Sequence, residues 1–289
     1  MKLPKFTLPR FSLPSCRPGA LCGRFSVRGF VSFCRMIRIE HSIFALPYAW
    51  AGSVMAAGGM PPWDKLVLLT IAMVGVRSFA MGINRIFDLP FDRENPRTAN
   101  RHLVTGEISV RQAWIFSLVM AAIFVLACAA INTVCLILSV PALLFAAVYS
   151  LTKRFTAWSH VVLGLALAIA PVGAYIAVTG SVALFPVLLA VAVLTWTAGF
   201  DILYSLQDAS FDRSNGLHSV PARFSAVHST LISILLHVFA VAAVAVLGAL
   251  YRLGVWYWVG FGLFTAVLVV QHVLYRPSRI DRIGASFGL

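Results

Sequence analysis

NRIFDLPFDRENPRTANRHL, residues 84–103, and DILYSLQDASFDRSNGLHSVPAR, residues 201–223, hold Asp88, Asp92, Glu94, Asp201, Asp208 and Asp212. The whole chain has only ten acidic residues, so most of them stand in these two stretches. Around them the sequence is lipid-soluble. Of 289 residues, 60% are hydrophobic and 11% charged, with a mean hydropathy of +0.88, against about 25% charged in an ordinary soluble domain. A carboxylate at the centre of a membrane helix costs roughly 2.5–3.5 kcal/mol, so a chain this poor in acids does not gather them without a use. The reading is an all-α, polytopic transmembrane bundle.

Apolar segments at 43–59, 66–87, 112–130, 132–151, 158–178, 182–206, 229–250 and 255–274 each approach the ~20 residues needed to cross the hydrocarbon core. Eight spans follow. Pro141, Pro171 and Pro186 lie within or beside spans, where neighbouring helices satisfy the freed carbonyls. Of the 23 Lys and Arg residues, all but Lys65, Arg77 and Arg252 fall before the first span, after even-numbered spans, or at the C-terminus. The positive-inside rule therefore puts the N-terminus in the cytoplasm. Both acidic stretches end even-numbered spans, the second and sixth, so they face the same side. Four spans separate them, which suggests two related halves.

Residues 1–37 form a basic N-terminal arm and 38–289 the transmembrane domain. The arm has no acid, and Pro4, Pro9, Pro14 and Pro18 forbid a long helix. It lacks the continuous apolar core of a secretory signal. From 26 to 37, Val27, Phe30, Val31, Cys34 and Ile37 recur at helical spacing, as in a short interfacial helix. The net charge of +13 is explained by orientation and anionic headgroups rather than by nucleic acid. Five cysteines with no C-x-x-C imply neither a disulfide framework nor a zinc site, and the histidines show no ligand spacing.

On a helix, residues four apart share a face. Asn84, Asp88 and Asp92 are so spaced, as are Tyr204, Asp208 and Asp212, with Asp201 nearly two turns before Asp208. Two such faces meeting at one cavity offer the hard oxygen ligands that suit Mg²⁺, which keeps waters and completes its shell with substrate phosphates. Arg85, Arg93, Arg97, Arg101, Lys153, Arg154 and Arg223 supply the cations for a polyanion. Glu94 reads as a solvated ion pair with Arg93 or Arg97. A transporter also holds midplane acids near broken helices, but these acids sit at span ends among basic residues, and the outward half shows no charged path. A scaffold leaves the acid doublets unexplained.

With N-x-x-x-D-x-x-x-D before NPRTANR, and D-x-x-Y-x-x-x-D-x-x-x-D before GLHSVPAR, the chain resembles the UbiA superfamily of intramembrane aromatic prenyltransferases. The wording is closest to the bacterial 4-hydroxybenzoate polyprenyltransferase group and its futalosine-pathway menaquinone relatives. The similarity runs from Arg38-Ile39-Glu40-His41 to about residue 275, through Arg77 and YSLTKRFT at 149–156. The resemblance implies a nine-helix fold and Mg²⁺ bridging a polyprenyl diphosphate to Asn84, Asp88, Asp92, Asp208 and Asp212. It further implies that Lys153 and Arg154, with Arg97 and Arg101, hold the diphosphate. Asp201 matches the acid on the side of an aromatic carboxylic acid acceptor, and Arg38 matches a basic residue for the acceptor's carboxylate. Asp88, Asp201 and Asp208 are then the catalytic acids. The acceptor is 4-hydroxybenzoate or a dihydroxynaphthoate, the product a quinone precursor, and the setting a bacterial inner membrane. Two departures stand out. Pro90 is expected to break the helix and leave Asp92 on a loop, and residues 280–289 are too short to form a ninth span.

Overall fold

The computed structural model describes residues 27–44 and 46–275; the basic arm up to residue 26 and the stretch after 275 lie outside the described residues. Twelve α-helices and three 3₁₀ segments are present among them, with no strand. Helix α1 (Val27–Met36) leads through a 3₁₀ turn (Ile39–Phe44) into α2 (Leu46–Ala57) and α3 (Trp63–Glu94). Short α4 (His102–Thr105) precedes α5 (Val110–Ile131), α6 (Thr133–Val148) and a 3₁₀ segment (Tyr149–Arg154). Helices α7 (Ser159–Thr179) and α8 (Leu184–Ser205) follow, then a 3₁₀ turn (Leu206–Asp208), α9 (Ala209–Ser214), α10 (Val220–Arg223), α11 (Ala226–Leu250) and α12 (Val255–Leu274).

The order repeats. In each half a helix (α2, α7) precedes a long helix whose end or continuation carries the acids (α3; α8 with the 3₁₀ turn and α9), then a short helix (α4, α10) and two further helices (α5 and α6, α11 and α12). Serine and asparagine start several of these helices at their membrane ends. Ser109 and Gln112 form a capping box on α5, and Asn132 caps α6 while its amide donates to the carbonyls of Ile176 and Ala177 on α7. Such caps satisfy N–H groups that have no partner within the helix.

Among the described residues, seven helical segments are long and apolar enough to cross a bilayer, where eight spans were expected. The expected span at 43–59 is the exception. Pro47 stands at the start of α2 and Gly58, at φ +64°, follows its end, which leaves a helix of about 18 Å at 1.5 Å per residue. The 3₁₀ turn before it adds about 2 Å per residue. This segment nonetheless connects the two ends of the bundle. Phe33, Met36 and Ile37 pack with Ile86, Leu103 and Ile108 at the acid-bearing end of α3, whereas α2 delivers the chain to the opposite end of α3.

Helix α1 packs through Phe33 and Met36, with Ile37 just beyond its end, while Phe30 and Val31 are exposed; Phe33 stacks on Phe116 of α5 with ring centroids 4.7 Å apart. One other expectation changes. Pro90 does not break α3, which runs to Glu94 with Asp92 on its last turn. Proline removes one backbone bond, but other groups hold this turn: Thr98 Oγ1 donates to the Asp92 carbonyl at 3.0 Å, Arg154 Nη2 to the Phe87 carbonyl at 2.8 Å, and Arg101 to the Asp92 carboxylate. Close approach of α7 and α8 depends on Gly164, where an added Cβ would lie 2.4 Å from the Leu194 carbonyl oxygen.

Candidate active site

Helix α3 brings Asn84, Asp88 and Asp92 along one face, and the 3₁₀ turn and α9 bring Asp208 and Asp212 to the same end of the bundle. Asp88, Asp92, Arg97, Arg101, Lys153, Arg154, Asp208 and Asp212 all line one cavity of about 80 Å³. Distant parts of the sequence thus meet at a single hollow. Asn84 stands one turn behind Asp88 and donates from its amide to Asp88 Oδ2 at 2.9 Å.

Ion pairs tie the two stretches together. Arg97 grips Asp208 with Nε at 2.9 Å from Oδ1 and Nη2 at 2.5 Å from Oδ2, the two-pronged geometry that guanidinium and carboxylate favour. Arg97 lies over the Tyr204 ring, 5.8 Å from its centroid. Partial burial opposes its charge, but the hydrogen bonds and negative field of Asp208 outweigh this and raise its pKa above the ordinary arginine value. Arg101 Nη1 reaches both Asp92 oxygens at 2.5 Å. Asp212, almost wholly buried, accepts from Ser219 Oγ at 2.8 Å.

Among the described residues, no three carboxylate, imidazole or thiol groups converge tightly enough to enclose a metal by themselves. The donor set is instead four carboxylates facing four cations across a small space. That suits a hard divalent ion taking one or two carboxylates from the protein and its remaining ligands from phosphate and water.

The other anticipated residues lie elsewhere. Arg38 is exposed, in left-handed backbone (φ 48°) between α1 and the 3₁₀ turn, and is not on the cavity lining. Asp201 is also off that lining, although Lys153 feels Asp212, Asp201, Asp88 and Asp208 together. Arg223 instead lines a neighbouring, wider cavity of about 410 Å³ together with Arg213 and His218, and Leu217 lines both cavities.

Two residues to which the sequence reading gave no role in the site stand out. His160, fully buried at the start of α7, contacts Asp201 Oδ2 through Nδ1 at 2.6 Å. Arg77, on the interior of α3, has a buried Nη1 with no hydrogen-bond partner among the described residues. Both carried the available signal, an ionisable side chain inside an apolar span.

Residues 45–289 match the model of the UbiA prenyltransferase family. This chain belongs to that family. It is 31% identical to the 4-hydroxybenzoate octaprenyltransferase of Nitrosomonas eutropha over 261 residues, covering 88% of this chain and 91% of the relative. The fold matches the apo structure of a UbiA homolog from Aeropyrum pernix K1 with a TM-score of 0.79 at 35% identity, over 86% of this chain and 92% of that one. It also matches a UbiA homolog from Archaeoglobus fulgidus bound to GPP and Mg²⁺, with a TM-score of 0.68 at 25% identity over 84% and 86% of the two chains. The UbiA member described here is an integral, multi-pass aromatic prenyltransferase.

Proposed function

We propose that this UbiA protein transfers a polyprenyl group from a polyprenyl diphosphate to the ring of 4-hydroxybenzoate or a closely related aromatic acid, with Mg²⁺, as a step in quinone biosynthesis. The observation that carries this reading is the single cavity in which both acid doublets face Arg97, Arg101, Lys153 and Arg154. The 4-hydroxybenzoate octaprenyltransferase relative supports the acceptor class, and the neighbour bound to GPP and Mg²⁺ supports the donor and the metal. The setting is a bacterial inner membrane, and the excess of Lys and Arg on the acid-bearing side supports a cytoplasmic position for this end and for the N-terminus.

Asp88, Asp92, Asp208 and Asp212, with Asn84 in support of Asp88, are the metal-binding set. When bound there, Mg²⁺ neutralises the diphosphate and stabilises charge on the departing oxygen. Arg97 and Arg101 hold the acids in the free protein; with diphosphate present they turn to the phosphate oxygens, widening the cavity. Lys153 and Arg154 stay beside the leaving group and stabilise the charge that builds as the allylic C–O bond breaks. The surrounding helices exclude water from the allylic cation, and the exposed apolar outer surface offers the long isoprenoid tail a route into lipid. Asp201 takes the acceptor side, polarising the ring hydroxyl so that the adjacent carbon attacks.

The test uses membranes containing the protein, a labelled polyprenyl diphosphate and 4-hydroxybenzoate. Label is expected to appear on the ring only with Mg²⁺ and to disappear with chelator. Movement of the acid across sealed vesicles without product would establish a transporter instead.

The acceptor's carboxylate needs a cation away from the diphosphate. Arg77 meets this need better than Arg38, because its buried Nη1 lacks a partner among the described residues, and an unpaired buried donor costs about 1–3 kcal/mol until a ligand satisfies it. Arg77→Met is expected to raise KM for 4-hydroxybenzoate about 10-fold or more and leave KM for the diphosphate unaltered, whereas Arg38→Met changes either by less than about 3-fold. The reverse ranking would return the acceptor site to Arg38.

A further inference from the structure

The proposed acceptor side contains a hydrogen-bonded chain that no part of the reading above assigns. His160 is fully buried where α7, α8 and the segment after α9 meet. Its Nδ1 lies 2.6 Å from Asp201 Oδ2, and the backbone N–H of Val220 points at its Nε2 from 3.3 Å. A backbone N–H can only donate, so Nε2 is the acceptor and the ring hydrogen is on Nδ1, directed at Asp201. Ser219, the residue before Val220, donates to Asp212. One imidazole therefore joins the acid on the acceptor side to the loop that braces an acid of the diphosphate cavity.

We propose that His160 is a positioning residue for the transfer reaction, fixing Asp201 as the base that takes the acceptor's hydroxyl proton; this rests on the function proposed above. Because Nδ1–H occupies Oδ2, Oδ1 is the atom that receives the proton. The allylic C–O bond breaks and its electron pair departs with the diphosphate; as the hydroxyl proton leaves, the ring carbon next to the oxygen-bearing one forms the new C–C bond to the allylic cation. The resulting dienone regains aromaticity when the hydrogen on that carbon moves to the oxygen. The one remaining proton, on Asp201, passes to water. His160 neither gains nor loses a proton, and its part is to hold the carboxylate's rotation and charge.

The two ring nitrogens allow the role to be separated from simple bracing. In H160N the amide nitrogen stands near the place of Nδ1 and keeps a donor for Asp201. In H160Q the longer side chain reaches the place of Nε2, keeping the loop contact but losing that donor. H160Q is expected to lower kcat about 10- to 100-fold, the usual loss when a group orienting a reactive side chain is removed, with KM for the diphosphate unchanged. H160N is expected to recover most of that loss.

A second readout uses ring-fluorinated 4-hydroxybenzoates, whose more acidic hydroxyls need less help from a base. The electrophilic penalty of fluorine applies to both enzymes and cancels in their ratio. The ratio of wild-type to H160Q turnover is expected to shrink as the hydroxyl becomes more acidic. A loss confined to H160N, equal losses in both variants, or a ratio indifferent to fluorination would overturn the inference. Wild-type membranes that make no product would instead overturn the proposed reaction, and retained Mg²⁺-dependent binding of labelled diphosphate by H160Q shows that the variant has folded.

Discussion

Asp208→Asn is expected to remove at least about 10³-fold of turnover, equivalent to about 4 kcal/mol of transition-state stabilisation, and Asp88→Asn to do the same. The substitution preserves shape and removes charge, so packing at the buried Asp208 site is little disturbed. Two losses combine. The cavity forfeits a hard anionic ligand, for which a neutral amide oxygen is a poor replacement beside a divalent ion. Arg97, which grips both Asp208 oxygens in the free protein, also loses the partner that sets its position. The kinetic signature distinguishes this from general damage: the Mg²⁺ concentration for half-maximal rate rises, while acceptor KM holds. If Asp208→Asn retained turnover within about tenfold of wild type, the shared metal site would have to be abandoned.

This expectation was available from the sequence because four-residue spacing on a helix is geometry, and the membrane makes each carboxylate informative. Asp88 and Asp92 on α3, and Asp208 and Asp212 on the 3₁₀ turn and α9 that continue α8, line one cavity. The bundle was legible for the same reason: apolar runs of spanning length have no alternative in lipid. What sequence could not carry was tertiary rescue. Pro90 forecasts a broken helix by local rules, but Arg154, Thr98 and Arg101, all supplied from later in the chain, hold the last turn. The segment at 43–59 reads as an ordinary span by hydropathy, yet Pro47 and Gly58 confine its α-helix to twelve residues. His160 was passed over because ligand spacing was sought within the sequence, whereas its partner is 41 residues away on the next long helix. Arg38 was named for the acceptor by resemblance alone, and the buried, unpartnered guanidinium nitrogen that recommends Arg77 is visible only in three dimensions.

Lys153→Met carries the second large effect, an expected fall of about 10²–10³ in kcat/KM for the diphosphate, the usual loss for one preorganised donor at a developing oxyanion. Lys153 lies in the cavity wall, within the fields of Asp88, Asp208, Asp212 and Asp201. Arg97 and Arg101 are paired with carboxylates in the free protein, whereas Lys153 faces several acids without a one-to-one partner among the salt bridges of the described residues. Methionine matches the length and flexibility of the lysine stem, so the substitution removes charge with little change of volume. Charge on the diphosphate grows as the allylic bond breaks, so an ammonium beside it interacts more strongly with the transition state than with the bound substrate. The loss should therefore fall mainly on kcat and persist at saturating diphosphate. Arginine is a poor replacement, since its broad planar fork demands a different fit from a compact ammonium, and Lys153→Arg is expected to recover only part of the rate. A defect in Lys153→Met confined to KM would reduce this residue to a ground-state anchor. Single-turnover measurements at saturating donor decide between the two, because only a transition-state role slows the bond-breaking step once the substrate is already in place.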